Sequence, residues 1–276
     1  MSLRQAALIL VLADGVAVAA MLLVRRRAPA GSYFRDTAEA AGVFAAAGTT
    51  FAVLVAFTFL LAFESFESAR NSSEAEAIAV LTLFHTAEFF GPAARDDLQR
   101  DLVCYGRAVI SDEWPAMRHN RRSPLVDGWV SRLERRFQRV SGNTETVGAA
   151  IQNWFSQADA RQTERRKRLG EAAPFIPPTV WFFLIVGGLL EIGFVLFFAD
   201  SGERVAAQAM LVSAVTVFVV ASLVMVHLLD SPYTGQSGSV QPVAMAQTLR
   251  SIELERRSRH AVGGIPCDRR GRPARA

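Results

Sequence analysis

Lysine is almost missing from this chain: Lys167 is the only one among 30 basic residues, and arginine supplies the rest. Cysteine is scarce as well. Cys104 and Cys267 stand far apart with no CxxC spacing, which argues against a disulfide framework or a thiolate metal site. Two unpaired thiols in a reducing compartment are expected. Alternation with period two is nowhere long enough for a sheet. The sequence also lacks GxSxG, a P-loop, HExxH and the paired carboxylates of a hydrolase, so no enzyme chemistry and no cofactor is expected. His85 and Glu88 lie three apart, a spacing that metal sites use, but His119, His227 and His260 add no motif, so no metal site is expected. The basic tail lacks interleaved aromatics or a binding module, so nucleic acid is not expected as a partner.

What the chain does have is apolar residues pooled into four runs, with charge pooled between them. A spanning helix needs about 20 largely apolar residues. The first span is placed in 1–24 and ends at Arg25-Arg26-Arg27, with a connecting loop over 25–41. The second is 42–63 and the fourth is 205–229, both free of charge. The third, 175–198, begins through Pro177-Pro178 and is interrupted only by Glu191, with Trp181 near its start, where an interface suits an indole. The first run has no small-x-small cleavage pattern and is expected to be retained. Four spans place both termini and the long central segment on one side of a cell membrane. Basic residues near span ends favour that side being cytoplasmic, by Arg4, Arg70, Arg161, Arg165, Arg166, Lys167 and Arg168 against Arg25, Arg26, Arg27, Arg35 and Arg204.

Residues 64–174 are expected to form a helical domain broken at proline and glycine. The second span should continue as helix to Gly91-Pro92, burying Ile78, Leu81, Phe84 or His85, and Phe89. Helices over Pro92–Ser111, from Pro124 with Ser123 as cap, and over Asn143–Leu169 follow. Beyond the fourth span, 230–262 should hold a turn and a short helix, and 263–276 a disordered basic tail. The fold class is an all-α integral membrane protein with four spans and a helical domain between spans two and three.

Several motifs resemble those of the bacterial bestrophin-like domain family. They are the apolar-then-polar second helix Leu54–Ala69, Glu74-Ala-Glu-Ala, Asp112-Glu-Trp114-Pro115-Ala-Met, and Leu229-Asp230-Ser-Pro232-Tyr233-Thr-Gly235 just past the last span. The resemblance covers roughly residues 30–250 and rests on the order and spacing of the set. Bestrophins are oligomeric, calcium-gated chloride channels whose second helix lines an apolar neck, so a homo-oligomer that conducts small ions is implied. After Gly235 this chain has Gln-Ser-Gly-Ser-Val-Gln without carboxylates, which departs from the family's acidic calcium clasp.

Two faces of the second span compete for a pore: Val53 and Phe57 with Glu64, or Val55, Phe59 and Phe63. A ring of such side chains can form a dewetting constriction, though packing or lipid contact gives similar stripes. Ala41, Ala45, Gly48, Ala52 and Ala56 form a small-residue stripe suited to a close helix neighbour. Asp14 and Glu191 sit mid-span, either as a site on a proton or cation path, which suits an anion pathway poorly, or as neutral, hydrogen-bonded acids, with Thr58, Ser213, Thr216 or His227 as partners. Glu64, Glu67, Arg70, Asn71 and Glu74 would line a vestibule or form helical ion pairs. The alternative function is a non-conducting scaffold or sensor whose helical domain binds a protein.

Overall fold

The computed structural model describes residues 3–27, 33, 37–235, 238–259 and 264–274. The expectations for Arg35, His260, Arg275 and most of the 28–36 loop lie outside the described residues. Nine α-helices make up the described chain: α1 (Leu3–Arg25), α2 (Thr37–Thr86), α3 (Pro92–Ala108), α4 (Trp114–Met117), α5 (Pro124–Phe137), α6 (Glu145–Gly170), α7 (Pro178–Leu196), α8 (Val205–Leu229) and α9 (Val243–Ser258). Four of them, α1, α2, α7 and α8, are long and apolar enough to cross a bilayer. The chain divides into two compact units: one from Met1–Ser65 and Pro174–Ser231, the other from Phe66–Ala173 and Ser239–Ala276 with Pro232–Gly235.

In the first unit α1, α7 and α8 pack through Ala17, Met21 and Val212, with Ile192, Val195 and Leu196 against them. The apolar half of α2 joins α7. Phe44 stacks on Phe194 at 5.7 Å between ring centroids. A Cβ on Gly187 would lie 2.7 Å from Phe51 Cδ2, so only glycine allows this approach. The α7–α8 turn is held by Arg25, which donates to Asp200 O and Gln208 Oε1 at 2.6 Å each, to Ser201 O at 2.9 Å and to Glu203 O. One arginine of the triple cluster therefore closes a turn.

The second unit has a single large core. Its side of α2 is Ala69, Ala77, Val80, Leu83 and Phe84, with Ala87 in the 3-10 turn that follows, and these pack with Leu98, Leu102 and Tyr105 of α3. Of the face expected from spacing, Phe84 is buried and Leu81 packs half-buried against the core, but Ile78 is 64% exposed and Phe89, beyond the end of α2, 58%. The rest of the true face includes Ala69 and Ala77, small residues that a search for bulky apolar positions passes over. Ser123 Oγ accepts from Val126 N at 3.2 Å, and Pro124 begins α5, as its sequence requires. Between α3 and α4, Val109–Glu113 forms a π-helical turn. Pro115 follows at the start of α4, and the widened turn carries the chain past a residue with no N–H to give.

Two expectations are overturned in the tail. Cys104 and Cys267 are not free thiols but form a disulfide across 163 residues of sequence. Residues 264–274, expected as part of a disordered tail, lie folded against the core. Trp129 Nε1 donates to Gly271 O at 2.7 Å and Ser111 Oγ to Arg270 O at 2.6 Å. Gly271, at φ +73°, leaves no room for a Cβ beside the backbone of Ala108. Composition is a poor guide here, since these contacts use backbone carbonyls that any residue carries.

Candidate functional site

The apolar part of α2 has a packed side and an open side. Thr58 and Ala62 are buried and Phe51 half-buried. At about 100° per residue, Val53, Phe57 and Glu64 fall roughly opposite them. Val53 is 50% exposed, Phe57 63%, and Glu64 is exposed where the apolar run ends. Val55, by contrast, is half-buried on the packed side. Phe59 and Phe63 lie on a flank, with their rings stacked at 6.5 Å. Ala45, Ala52 and Ala56 share that flank and are exposed on the single chain, while Gly48 meets Glu191. The two candidate pore faces are thus distinguished by what else each touches.

Glu191 is buried, with its carboxylate 3.3 Å from the position of a Cβ on Gly48, so it lies on the packed side of α2. Asp14 is half-buried and its Oδ1 has no partner among the described residues. Neither acid is joined to the suggested partners. Thr58 Oγ1 donates to Leu54 O, Thr216 Oγ1 is unpartnered among the described residues, and His227 stands edge-on to Trp181. Asp230 ties the end of α8 to the start of α7. Its Oδ1 accepts Phe175 N and Ile176 N at 2.8 Å each, and its Oδ2 accepts Trp181 Nε1 at 3.4 Å.

In the second unit, the motif residues converge on one guanidinium that spacing did not single out. Arg168 is fully buried; its Nε donates to Glu76 Oε2 and its Nη2 to Glu113 Oε2, both at 2.6 Å. Arg165 forks onto Glu113 with Nε and Nη2. Tyr105 Oη donates to Glu76 Oε1 at 2.6 Å. Arg168 also sits 4.9 Å from the Trp114 ring centroid, and Trp114 meets Tyr233 edge-on at 5.5 Å. Tyr233 Oη donates to Ala69 O at 2.7 Å. Gly235, at φ +74°, passes against the Arg118 guanidinium, where a side chain would collide. Two arginines facing two carboxylates leave this interior cluster balanced, as buried charge requires. Burial alone raises the Glu113 pKa, but hydrogen bonds from Arg165 and the charge of Arg168 reverse this and hold it below its ordinary value. Burial, then the charge of Glu76, pushes the Tyr105 hydroxyl up, so it stays a donor.

The remaining polar candidates form helical or interhelical pairs. Arg70 bridges to Glu74 at 3.2 Å and to Glu67 at 3.9 Å. His85 and Glu88 do not share a ligand position: His85 contacts Glu255 at 3.1 Å and Glu88 contacts Arg259 at 2.5 Å.

Four apolar helices of spanning length, a helical unit between the second and third, and these converging motifs define an all-α integral membrane protein. A family model for the bestrophin-like domain matches residues 11–245, and the chain belongs to that family. Among solved structures, a bacterial bestrophin homologue from Klebsiella pneumoniae, solved by Zn-SAD phasing, is similar with a TM-score of 0.67 at 14% identity. The match covers 92% of this chain and 98% of that one. A single-site variant of a bestrophin homologue from the same organism gives 0.65 at 15% identity, over 89% and 99% of the two chains. At such identities the likeness is one of fold. No curated protein sequence matches the chain.

Proposed function

We propose that this protein is a homo-oligomeric anion channel of bestrophin type, with the Val53, Phe57 and Glu64 face of α2 turned to a shared axis. One observation carries this reading: the face of α2 opposite its own-chain contacts is apolar and open, with Phe57 63% exposed. A ring of such faces makes a narrow apolar constriction, which controls ion passage by dewetting. The flank with Ala45, Ala52, Ala56, Phe59 and Phe63 would then pack against the neighbouring protomer, since small residues allow close approach. Glu191 meets Gly48 on the packed side, so its carboxylate is turned away from the proposed axis. Charge near the span ends supports a cytoplasmic second unit.

Reconstituted liposomes loaded with chloride test the proposal. Phe57→Ala should widen the constriction and raise chloride efflux several-fold over the parent, while Val55→Ala should not. If neither the parent nor any variant passes chloride, the channel reading fails and the scaffold reading takes its place.

A further inference from the structure

A cavity of about 220 Å³ lies between α5 and α6 in the second unit. Arg122, Arg161, Arg165 and Arg166 line it, and Asp127 is the one carboxylate in its wall. That carboxylate is already shared: Arg165 Nη2 reaches it at 2.8 Å and Arg122 Nη2 at 3.3 Å. Arg166 makes no ion pair among the described residues. Arg161 is the unusual member. It is 3% exposed, its guanidinium carbon lies 4.9 Å from the Tyr105 ring centroid, and its Nη1 is sealed from solvent without an acceptor. Its charge is therefore offset by no carboxylate in contact among the described residues, and it adds to the positive potential of the wall. Arg161 also borders a larger cavity lined by Leu83, Phe137 and Trp154, which none of the other three arginines reaches. Only the smaller cavity brings all four together.

We propose that this arginine-lined cavity binds a small tetrahedral oxyanion, of the class of phosphate or sulfate, with the exposed Arg166 as its main ligand and the buried Arg161 adding positive charge from the wall. Guanidinium groups fork onto oxyanions through paired N–H donors, which a spherical halide cannot match. Ser131 in the same wall adds a neutral hydroxyl donor. A volume of about 220 Å³ is ample for an inorganic anion. The site is separate from the proposed pore, so it stands or falls on its own.

Thermal unfolding of the full chain in detergent tests this, with sodium phosphate titrated against sodium chloride at constant ionic strength. Phosphate should raise Tm saturably at concentrations where chloride does nothing. Arg166→Gln, an exposed position that leaves the core untouched, should weaken phosphate binding by about tenfold, and Arg161→Gln, which removes a charge from the wall, should weaken it as well. If Arg161→Gln does not fold, the Arg166→Gln titration decides alone. A phosphate response no larger than that of chloride, or one unchanged by Arg166→Gln, overturns the proposal.

Discussion

Glu113 shows how much one side chain can hold. Its carboxylate accepts from two buried arginines, and Glu113→Gln would leave Arg165 and Arg168 with an uncompensated positive charge in the core. Breaking such a pair costs about 3–5 kcal/mol, so the variant should lose a large part of an ordinary domain's stability. Denaturation of the detergent-solubilised protein measures this. The same carboxylate sets an acid limit. Its folded pKa lies below its unfolded one, so its stabilisation is complete above the ordinary glutamate value of 4.5 and is lost as pH falls through the folded value. Stability should therefore drop below that pH in the parent, and this part of the drop should vanish in Glu113→Gln. At the proposed pore mouth, a ring of Glu64 carboxylates would repel anions. Glu64→Gln should raise chloride permeability relative to sodium, read as a shift in reversal potential across a bilayer; an unchanged reversal potential would place Glu64 off the ion path.

Among the elements, α2 and α7 depend on each other through glycine. A side chain at Gly187 meets the Phe51 ring of α2 at 2.7 Å, and one at Gly188 meets the same ring at 3.6 Å and Val219 Cγ1 of α8 at 2.8 Å. Gly187→Val should push the helices apart and cost about 1–3 kcal/mol, an overpacking penalty. Gly193→Val, where nothing lies within 4 Å, is the control and should change Tm little. Helix starts were legible at this scale. Ser123-Pro124 announces a cap and a first turn because both act locally, on the N–H groups of one helix end. The buried face of α2 beyond residue 66 was only partly legible, because Ala69 and Ala77 owe their burial to residues distant in the chain, Tyr233 against Ala69 and Thr248 of α9 against Ala77.

For the molecule as a whole, the disulfide is the main surprise. Closing 163 residues removes conformations from the unfolded chain, a contribution of several kcal/mol in the chain-entropy account. A cytoplasmic second unit would keep this bond only while oxidised, because cytosolic disulfides are usually transient or redox-sensing. Under that orientation, cells lysed into an alkylating quench should yield reduced Cys104 and Cys267 during growth and the bond after an oxidant. A bond that persists throughout growth would reverse the orientation. Reduction, or Cys267→Ser, should also loosen the strap of residues 264–274 and increase amide exchange in it, while Trp129 and Ser111 retain their hydrogen-bond partners only in part.

The sequence alone determined the lipid-seeking helices, their number and their order. Burial of apolar side chains and internal pairing of amides act within a single segment, so a linear pattern records them. Its motifs at Glu76, Glu113-Trp114 and Tyr233 were also visible as motifs. Their shared partner was not, because Arg168 sits in a run of basic residues that looks like any solvated cluster. Only the tertiary structure decided that Arg168 gathers them, that Glu191 lies on the packed side of α2, and that two distant cysteines meet. Each of those outcomes depends on distances between segments far apart in the chain, which no local spacing encodes.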